Sequence, residues 1–270
     1  MNITANGIQI NYELNGKGNS MVLIHGFSDN LTMWFNQTTE LSKNYQVLAY
    51  DVRGHGQTQT PGLEFSMDLF ADDLKELLKA LKIEKACVLG YSMGGRIALQ
   101  FALKNPDMVS GIVFANSGII GPDFQIPAEQ AKEMMERRQQ MMDVFNTGDI
   151  NLIADLMAER SLSPGLKEKN SELFNKYKNV KLKNDPEFYS AIMDAMMQSM
   201  TSPPDLSKLR CPALIIAGEY DGFMSIDVAK YMEKTIKDSE TVIFPTGHAS
   251  AIEVPELFNK AVLNFLKKLN

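Results

Sequence analysis

The stretch KACVLGYSMGGRIALQFALK, residues 85–104, contains an apolar strand pattern, a serine between glycines and a helical pattern in direct succession. Its centre, GYSMG at 90–94, has the spacing G-x-S-x-G, and the strand and helix around it are the context that a nucleophile elbow requires. Small residues must flank the serine because backbones approach closely in so sharp a turn. We therefore predict that the Ser92 hydroxyl stands exposed above a sheet, beside the free N–H groups of the following helix.

Other short apolar runs alternate with helical patterns along the chain, which predicts βαβ units and a mostly parallel sheet. The runs are apolar on both faces, so helices are expected on both faces of the sheet, and the fold class is α/β. An alternating run at 7–14, followed by the turn signal Asn15–Gly16, predicts an opening antiparallel pair. The parallel strands are predicted at 21–25, 45–51, 85–91, 110–115, 213–219 and 240–245.

The pattern changes near residues 118–127 and again near 201–205, and about 80 residues between them have helical patterns without a convincing strand. We interpret 119–202 as a helical cap inserted into an α/β core made of 1–118 and 203–270. The cap holds nine of the 17 methionines. Thioether side chains fill irregular space and adapt to ligands, so methionines of the cap are candidates for lining an acyl pocket, with simple packing as the alternative. The candidates are Met134, Met141, Met193 and Met197.

Composition argues for a packed soluble enzyme, with 44% hydrophobic and 22% charged residues in 270. The formal net charge is −6 and basic residues cluster only in pairs, which argues against a nucleic-acid partner. The longest apolar run, 213–217, is too short to span a membrane. Because the N-terminus lacks the features of an export signal, we expect a cytoplasmic location. Cys87 and Cys211 fit small core residues better than a metal or redox pair.

A serine hydroxyl needs a base and an orienting carboxylate to act as a nucleophile. His248 follows the last predicted strand in PTGH, at the edge of the sheet where ligands bind in open α/β folds. Asp221, in GEYDG, follows the preceding strand and is expected at the same edge. Glu219 and Asp227 are the competing carboxylates, and Asp227 has the alternative role of complementing a helix dipole. The predicted order is Ser92, Asp221, His248.

The two other histidines have structural explanations. His25 precedes the loop after the first parallel strand and is expected to brace its backbone by hydrogen bonding. His55 lies in a turn between glycines and is expected to be fixed together with Asp51 and Arg53.

Backbone N–H groups are the predicted donors to an oxyanion, one from Met93 and one from Phe27 in the HGF loop at 25–27. Trp34, the only tryptophan, is a candidate substrate contact, with the core as its alternative environment. Arg96, one helical turn beyond Ser92, fits a structural ion pair better than a clamp on the substrate.

Five motifs occur in one order: HGF at 25–27, DVRGHG at 51–56, GYSMGG at 90–95, GEYDG at 218–222 and TGHAS at 246–250. Together they resemble the α/β-hydrolase fold superfamily, in its serine esterase and lipase-like branch with a helical cap. The resemblance implies a Ser92–His248–Asp221 triad, an oxyanion hole of Phe27 and Met93, and a substrate pocket roofed by the cap.

The expected activity is that of a serine hydrolase, nominally a carboxylesterase, which cleaves small to medium carboxylic esters with water through an acyl-enzyme on Ser92. No metal or cofactor is expected, since neither an H-E-x-x-H nor a phosphate-binding loop occurs. Hydrolysis of a carbon–carbon bond or an enol-lactone on the same triad, and a slow ligand receptor of the same fold, are the alternatives. The sequence leaves the natural substrate and the oligomeric state open.

Overall fold

Eight strands form one sheet in the computed structural model, which describes residues 1–269 apart from the side chain at position 130. Their order is β1-β2-β4-β3-β5-β6-β7-β8, and every pairing from β4 to β8 across the sheet is parallel. The predicted mostly parallel α/β fold is confirmed. The strands are β1 (Asn2–Ala5), β2 (Ile8–Asn15), β3 (Ser20–Ile24), β4 (Gln46–Tyr50), β5 (Ala86–Tyr91), β6 (Val109–Ala115), β7 (Ala213–Gly218) and β8 (Ser239–Phe244).

Helices cover both faces of this sheet. The core on one face includes residues of α2, α3 and α9, and the core on the other face includes residues of α1, α10 and α11. The helices are α1 (Phe35–Leu41), α2 (Met67–Ala80), α3 (Met93–Lys104), α4 (Ala128–Phe145), α5 (Ile150–Ser161), α6 (Leu166–Lys169), α7 (Ser171–Lys181), α8 (Tyr189–Thr201), α9 (Ile226–Thr235), α10 (Ser250–Glu253) and α11 (Pro255–Lys268).

The central strands are apolar along their whole length because they are covered twice. In β3, Val22 and Ile24 pack into the core under α2 and α3, whereas Met21 and Leu23 pack into the core under α1 and α11. All four side chains are fully buried. Successive strand residues point to opposite faces, so a strand with a helical layer on each side has no polar position.

The opening antiparallel region consists of three paired strands rather than a single hairpin. β2 pairs antiparallel with β1 and with β4, and β4 lies between β2 and β3. The turn at Asn15–Gly16 therefore carries the chain past the end of β4. Gly16 has a φ of 80°, and a Cβ atom there would lie 2.2 Å from the Tyr45 carbonyl oxygen. The sequence did not reveal β1, which has only four residues and too little alternation to be recognised.

Between β6 and β7 the described residues form only helices and turns. We refer to α4–α8 as the cap helices. They contact one another, α8 also contacts α2, and α7 contacts the short 3-10 turn at 31–34. No helix in the described part of the chain combines the length and apolarity needed to cross a membrane.

Candidate active site

Ser92 occupies the sharp turn between β5 and α3, with φ 52° and ψ −115°. A side-chain-bearing residue rarely adopts this backbone conformation, so the surrounding structure must hold it. The Ser92 N–H donates to the Ala115 carbonyl at 3.0 Å, and the Ser117 hydroxyl donates to the Ser92 carbonyl at 2.7 Å. Neighbouring strand β6 and the loop after it thus fix the strained turn.

The glycines of the G-x-S-x-G motif are required by close backbone approach. A Cβ atom at Gly90 would lie 2.2 Å from the Gly94 carbonyl oxygen, and one at Gly94 would lie 2.3 Å from the Ile24 carbonyl oxygen. A Cβ atom at either position would clash with the backbone, so only glycine allows this turn conformation at both positions.

Ser92, His248 and Asp221 form one hydrogen-bonded chain. His248 Nε2 lies 2.8 Å from Ser92 Oγ, and His248 Nδ1 lies 2.8 Å from Asp221 Oδ2. Asp221 follows β7 and His248 follows β8, so both reach the edge of the sheet where β5 ends. A carboxylate only accepts hydrogen bonds, so the neutral ring carries its proton on Nδ1 and Nε2 accepts from the serine hydroxyl.

The side chain of Asp221 is buried and accepts several hydrogen bonds. Its Oδ1 accepts from the N–H groups of Phe223 at 2.8 Å and Met224 at 3.0 Å, and its Oδ2 accepts from Asn116 Nδ2 at 3.2 Å. Burial by itself raises the pKa of Asp221, but His248 and these backbone donors outweigh burial and hold the pKa below its usual value. The carboxylate is therefore ionised at neutral pH.

The competing carboxylates lie elsewhere. Asp227 is 83% exposed and lies 3.7 Å from Lys230, and Glu219 is exposed. Neither has a hydrogen bond to His248 among the described residues. Asp221 is thus the carboxylate that the structure places beside the histidine.

His25 and His55 are buried, and neither ring has a hydrogen bond to Ser92 among the described residues. In each ring Nε2 accepts a backbone N–H, from Val52 at 2.9 Å and from Ser28 at 3.3 Å respectively. Each Nδ1 faces a backbone carbonyl oxygen. Burial lowers the pKa of His25 to about 4 and that of His55 to about 3, so both rings are neutral and brace the loops around the site.

Two free backbone donors lie next to the nucleophile. Among the described residues, neither the Phe27 N–H nor the Met93 N–H has a hydrogen-bond partner. Met93 is the first residue of α3, and Phe27 belongs to the loop at 26–30, which we call the oxyanion loop. A Cβ atom at Gly26 would lie 2.8 Å from the Tyr91 ring and 3.3 Å from Ser92 Cβ, so glycine lets this loop approach the elbow.

A cavity of about 200 Å³, here called the site cavity, opens over Ser92 and His248. All four methionines predicted from the cap line it, which is the arrangement expected of an acyl pocket. Its full set of methionines is Met93, Met134, Met141, Met157, Met193, Met196, Met197 and Met200.

The suggestion that Trp34 contacts substrate is wrong, because Trp34 does not line the site cavity. Its side chain is fully buried in the core on the α1 face of the sheet, edge-on to Tyr91 at 6.5 Å between ring centroids. The 3-10 turn at 31–34 directs it into that core, which is the alternative environment considered above.

Sequence reasoning missed the residues that hold the His248 loop. Asn116 donates to the Gly247 carbonyl at 3.3 Å as well as to Asp221. Glu253 accepts from the Gly247 N–H at 2.9 Å and from the Ser163 hydroxyl. Of these, only Asn116 had a signal, since it follows a strand at the same edge of the sheet as the triad.

The cap helices also hold the oxyanion loop. Asn184 Nδ2 donates to the Ser28 carbonyl at 2.9 Å, and Asn30 Nδ2 donates to the Val180 carbonyl at 2.6 Å. The loop that bears the Phe27 N–H is therefore held by His55, which accepts the Ser28 N–H, and by the cap.

A model of the alpha/beta hydrolase fold family matches residues 19–255. The 3-oxoadipate enol-lactonase 2 of Acinetobacter baylyi is 28% identical over 99% of this chain and 97% of its own length. The 2-hydroxy-6-oxo-2,4-heptadienoate hydrolase of Pseudomonas putida is 28% identical over 98% of this chain and 95% of its own.

Among solved structures, a thermophilic esterase from Thermogutta terrifontis, determined with malate bound, is similar to this chain with a TM-score of 0.85. The two sequences are 30% identical, and the match covers 100% of this chain and 98% of the esterase.

Proposed function

Since the chain belongs to the α/β-hydrolase fold family and is a hydrolase, we propose that it is a serine carboxylesterase that cleaves small to medium carboxylic esters. The observation that carries the proposal is the hydrogen-bonded chain of Ser92, His248 and Asp221, with 2.8 Å at each link, beside two unpartnered backbone N–H groups. A nucleophile, a base, an orienting carboxylate and oxyanion donors are the parts that acyl transfer to a serine needs.

In the proposed reaction, Ser92 Oγ attacks the ester carbonyl carbon while His248 Nε2 takes the hydroxyl proton. The carbonyl oxygen becomes an oxyanion that the N–H groups of Phe27 and Met93 stabilise. Collapse of the tetrahedral intermediate breaks the bond to the alkoxide, which leaves as the alcohol with the proton from His248. The acyl group is then bound to Ser92.

Water completes the cycle. His248 takes a proton from water as the water oxygen attacks the acyl carbon, and the second tetrahedral intermediate releases the carboxylic acid and the Ser92 hydroxyl. The Asp221 carboxylate keeps the His248 proton on Nδ1 and stabilises the imidazolium that forms in both halves. No other reactant is required.

Hydrolysis of a lactone is a second candidate, because a full-length relative is named as an enol-lactonase. A lactone is a cyclic ester, so the same steps apply and only the leaving alkoxide stays attached to the acyl group. The esterase at 30% identity over the whole chain favours the open-chain ester.

A substrate panel separates these activities. p-Nitrophenyl esters of increasing acyl length would be assayed beside γ- and δ-lactones and a vinylogous diketone, whose carbon–carbon bond tests the remaining alternative. We expect steady multiple turnover of the esters at a higher kcat/KM than of the lactones or the diketone. A burst of one equivalent without further turnover would contradict the esterase and indicate a ligand receptor.

The role of Ser92 is tested by Ser92→Ala with Ser207→Ala, an exposed serine, as the matched control. We expect Ser92→Ala to lose about 10⁴-fold or more of kcat/KM and all labelling by a fluorophosphonate, since both need the activated hydroxyl. The control should keep both. Esterase activity of Ser92→Ala within tenfold of the parent would rule out the proposed nucleophile.

A further inference from the structure

The charges that line the site cavity are of one sign. Within the part of the chain that the structure describes, the lining includes Arg96, Arg137 and Arg138 but no aspartate or glutamate. The chain as a whole has a net charge of −6, so this positive lining runs against its average composition. A cationic cavity wall in an acidic protein favours an anionic ligand.

Among the residues that the structure describes, Arg96 is the arginine of the cavity lining that has no acidic partner. It lies four residues after Ser92 on α3 and is half-buried. The structural ion pair favoured by the sequence is absent among the described residues, and the contact present is a hydrogen bond from Arg96 to the Gly118 carbonyl oxygen at 2.9 Å. Burial lowers the pKa of Arg96 to about 10, so the side chain still carries its charge at neutral pH.

The other two arginines of the cavity wall have protein partners. Arg138 lies 2.9 Å from an Asp194 carboxylate oxygen, and Arg137 donates to the Gly222 carbonyl at 2.8 Å. Arg96 also lines two neighbouring surface clefts, and the acidic side chains of those clefts already have basic partners. Asp68, Glu133 and Asp221 pair with Lys104, Arg137 and His248 respectively.

A half-buried guanidinium has lost part of its hydration, and its remaining N–H groups form a fork that matches a carboxylate. Among residues 1–269, no aspartate or glutamate reaches the Arg96 guanidinium. A bound substrate with a carboxylate would fill that place without any change in the protein.

We propose that the substrates are esters whose acyl part carries a second, free carboxylate, which binds to Arg96. The inference rests on the proposed esterase function. The N-terminus of α3 would hold the acyl carbonyl oxygen, and Arg96 follows on the same helix, about 6 Å further along its axis. Half esters of dicarboxylic acids with four to six carbons span that distance.

The test compares charged and neutral esters of the same shape. Monoethyl succinate, glutarate and adipate would be assayed by acid release, and ethyl 5-methylhexanoate serves as the neutral isostere of monoethyl glutarate. We expect the parent to prefer one of the half esters. The readout is the ratio of kcat/KM between monoethyl glutarate and its isostere.

Arg96→Met should lower this ratio by about 10- to 100-fold, since it removes a charge-assisted hydrogen bond. Arg96→Lys, which keeps the charge but not the fork, should retain part of the preference. Arg210→Met removes an exposed arginine outside the cavity lining and should leave the ratio unchanged. An equal loss on both esters in Arg96→Met, or a parent that prefers the neutral ester, would overturn the proposal.

Binding to Ser92→Ala separates this proposal from the esterase itself. Titration calorimetry with monoethyl glutarate should show binding to Ser92→Ala and at least tenfold weaker binding to Ser92→Ala/Arg96→Met. Equal affinity of the two variants would overturn the anion site. If the parent hydrolyses no ester while this difference in binding is found, the esterase proposal fails and the anion site stands.

Discussion

Lys181 of α7 and Asp29 of the oxyanion loop form a buried ion pair, with Nζ and Oδ1 2.8 Å apart and both side chains 1% exposed. The Tyr177 hydroxyl, from the same helix, donates to Asp29 Oδ2 at 3.1 Å. Asp29 lies two residues after Phe27, so this pair connects a cap helix directly to the loop with the predicted oxyanion donor.

The Lys181–Asp29 ion pair is expected to hold the oxyanion loop in position rather than to add net stability. Burial raises the pKa of Asp29 and lowers the pKa of Lys181, against the attraction between them. Taking two charges out of water costs free energy that offsets much of the attraction in a buried ion pair. Lys181→Met leaves Asp29 buried without its partner and should lower the free energy of unfolding by about 3–5 kcal/mol. Lys181→Met/Asp29→Asn should recover part of that loss. Urea unfolding of the three proteins measures both effects.

Lys178→Met is the matched control, because Lys178 lies on the same helix and pairs with Asp155 at 2.8 Å nearer the surface. Partly exposed pairs contribute about 0–1 kcal/mol, so this change should have little effect. A loss in Lys181→Met no larger than in Lys178→Met would show that the buried pair does not secure the loop.

Asp221→Asn should change the proton position on His248 more than the geometry. The asparagine oxygen is expected to keep the bonds from the Phe223 and Met224 N–H groups, which leaves its NH₂ group facing His248 Nδ1. That arrangement favours the tautomer protonated on Nε2, which cannot accept the Ser92 proton. We expect kcat/KM to fall by about 10⁴-fold, as in the serine-protease triad.

Glu219→Gln and Asp227→Asn are the controls for the carboxylate assignment and should remain within about twofold of the parent. An active Asp221→Asn together with an inactive control would mean that another carboxylate orients the histidine. Steady-state assays with one p-nitrophenyl ester are sufficient for this comparison.

The positions of Ser92, Asp221 and His248 follow from sequence because each residue lies within a few positions of the carboxyl end of a parallel strand. Parallel strands place all their carboxyl ends at one edge of the sheet, so topology alone brings such residues together. The residues that hold the His248 loop obey no such rule. Glu253 meets Ser163 across 90 positions of the chain, and no local pattern reports that contact.

Trp34 and Arg96 also show what sequence patterns do not predict. Each lies close in sequence to a residue of the site, but the direction of one turn or one side chain decides whether it faces the cavity or the core. Periodicity predicts which face of an element is apolar, but it does not predict which partner a single charged or aromatic side chain meets.

His25 and His55 should make the protein less stable as pH falls. Their folded pKa values of about 4 and about 3 lie below the ordinary value of about 6.5, so between these values the unfolded state binds more protons. The free energy of unfolding is therefore expected to decrease from about pH 6.5 down to about pH 4, by up to about 1.4 kcal/mol per pH unit for each histidine.

Urea unfolding at several pH values tests this dependence, with His55→Gln as the variant. Glutamine removes one titrating group and keeps an acceptor for the Ser28 N–H. The slope of stability against pH should become shallower in the variant, whatever its absolute stability. An unchanged slope would show that His55 does not contribute to the acid sensitivity.

The last prediction concerns the methionines of the cap that line the site cavity. Met141 and Met193 are 7% exposed, and both lie in the lining beside Ser92. Each methylene of a bound acyl chain contributes at most about 0.8 kcal/mol, or about fourfold in kcat/KM, until the cavity is full. Flexible thioethers should yield to several chain lengths, so the parent profile of neutral p-nitrophenyl esters should be broad.

Met141→Leu/Met193→Leu replaces two adaptable side chains with branched ones and should shift the preferred acyl length by one or two carbons. Rates are compared after normalisation to the reaction of each protein with a small phosphonate, which reports Ser92 alone. Met21→Leu/Met232→Leu changes two fully buried methionines outside the cavity and is the matched control for general repacking. The control profile should overlay the parent profile. If the cavity variant overlays the parent as well, these methionines only pack the cap, and acyl length is read by other residues of the site.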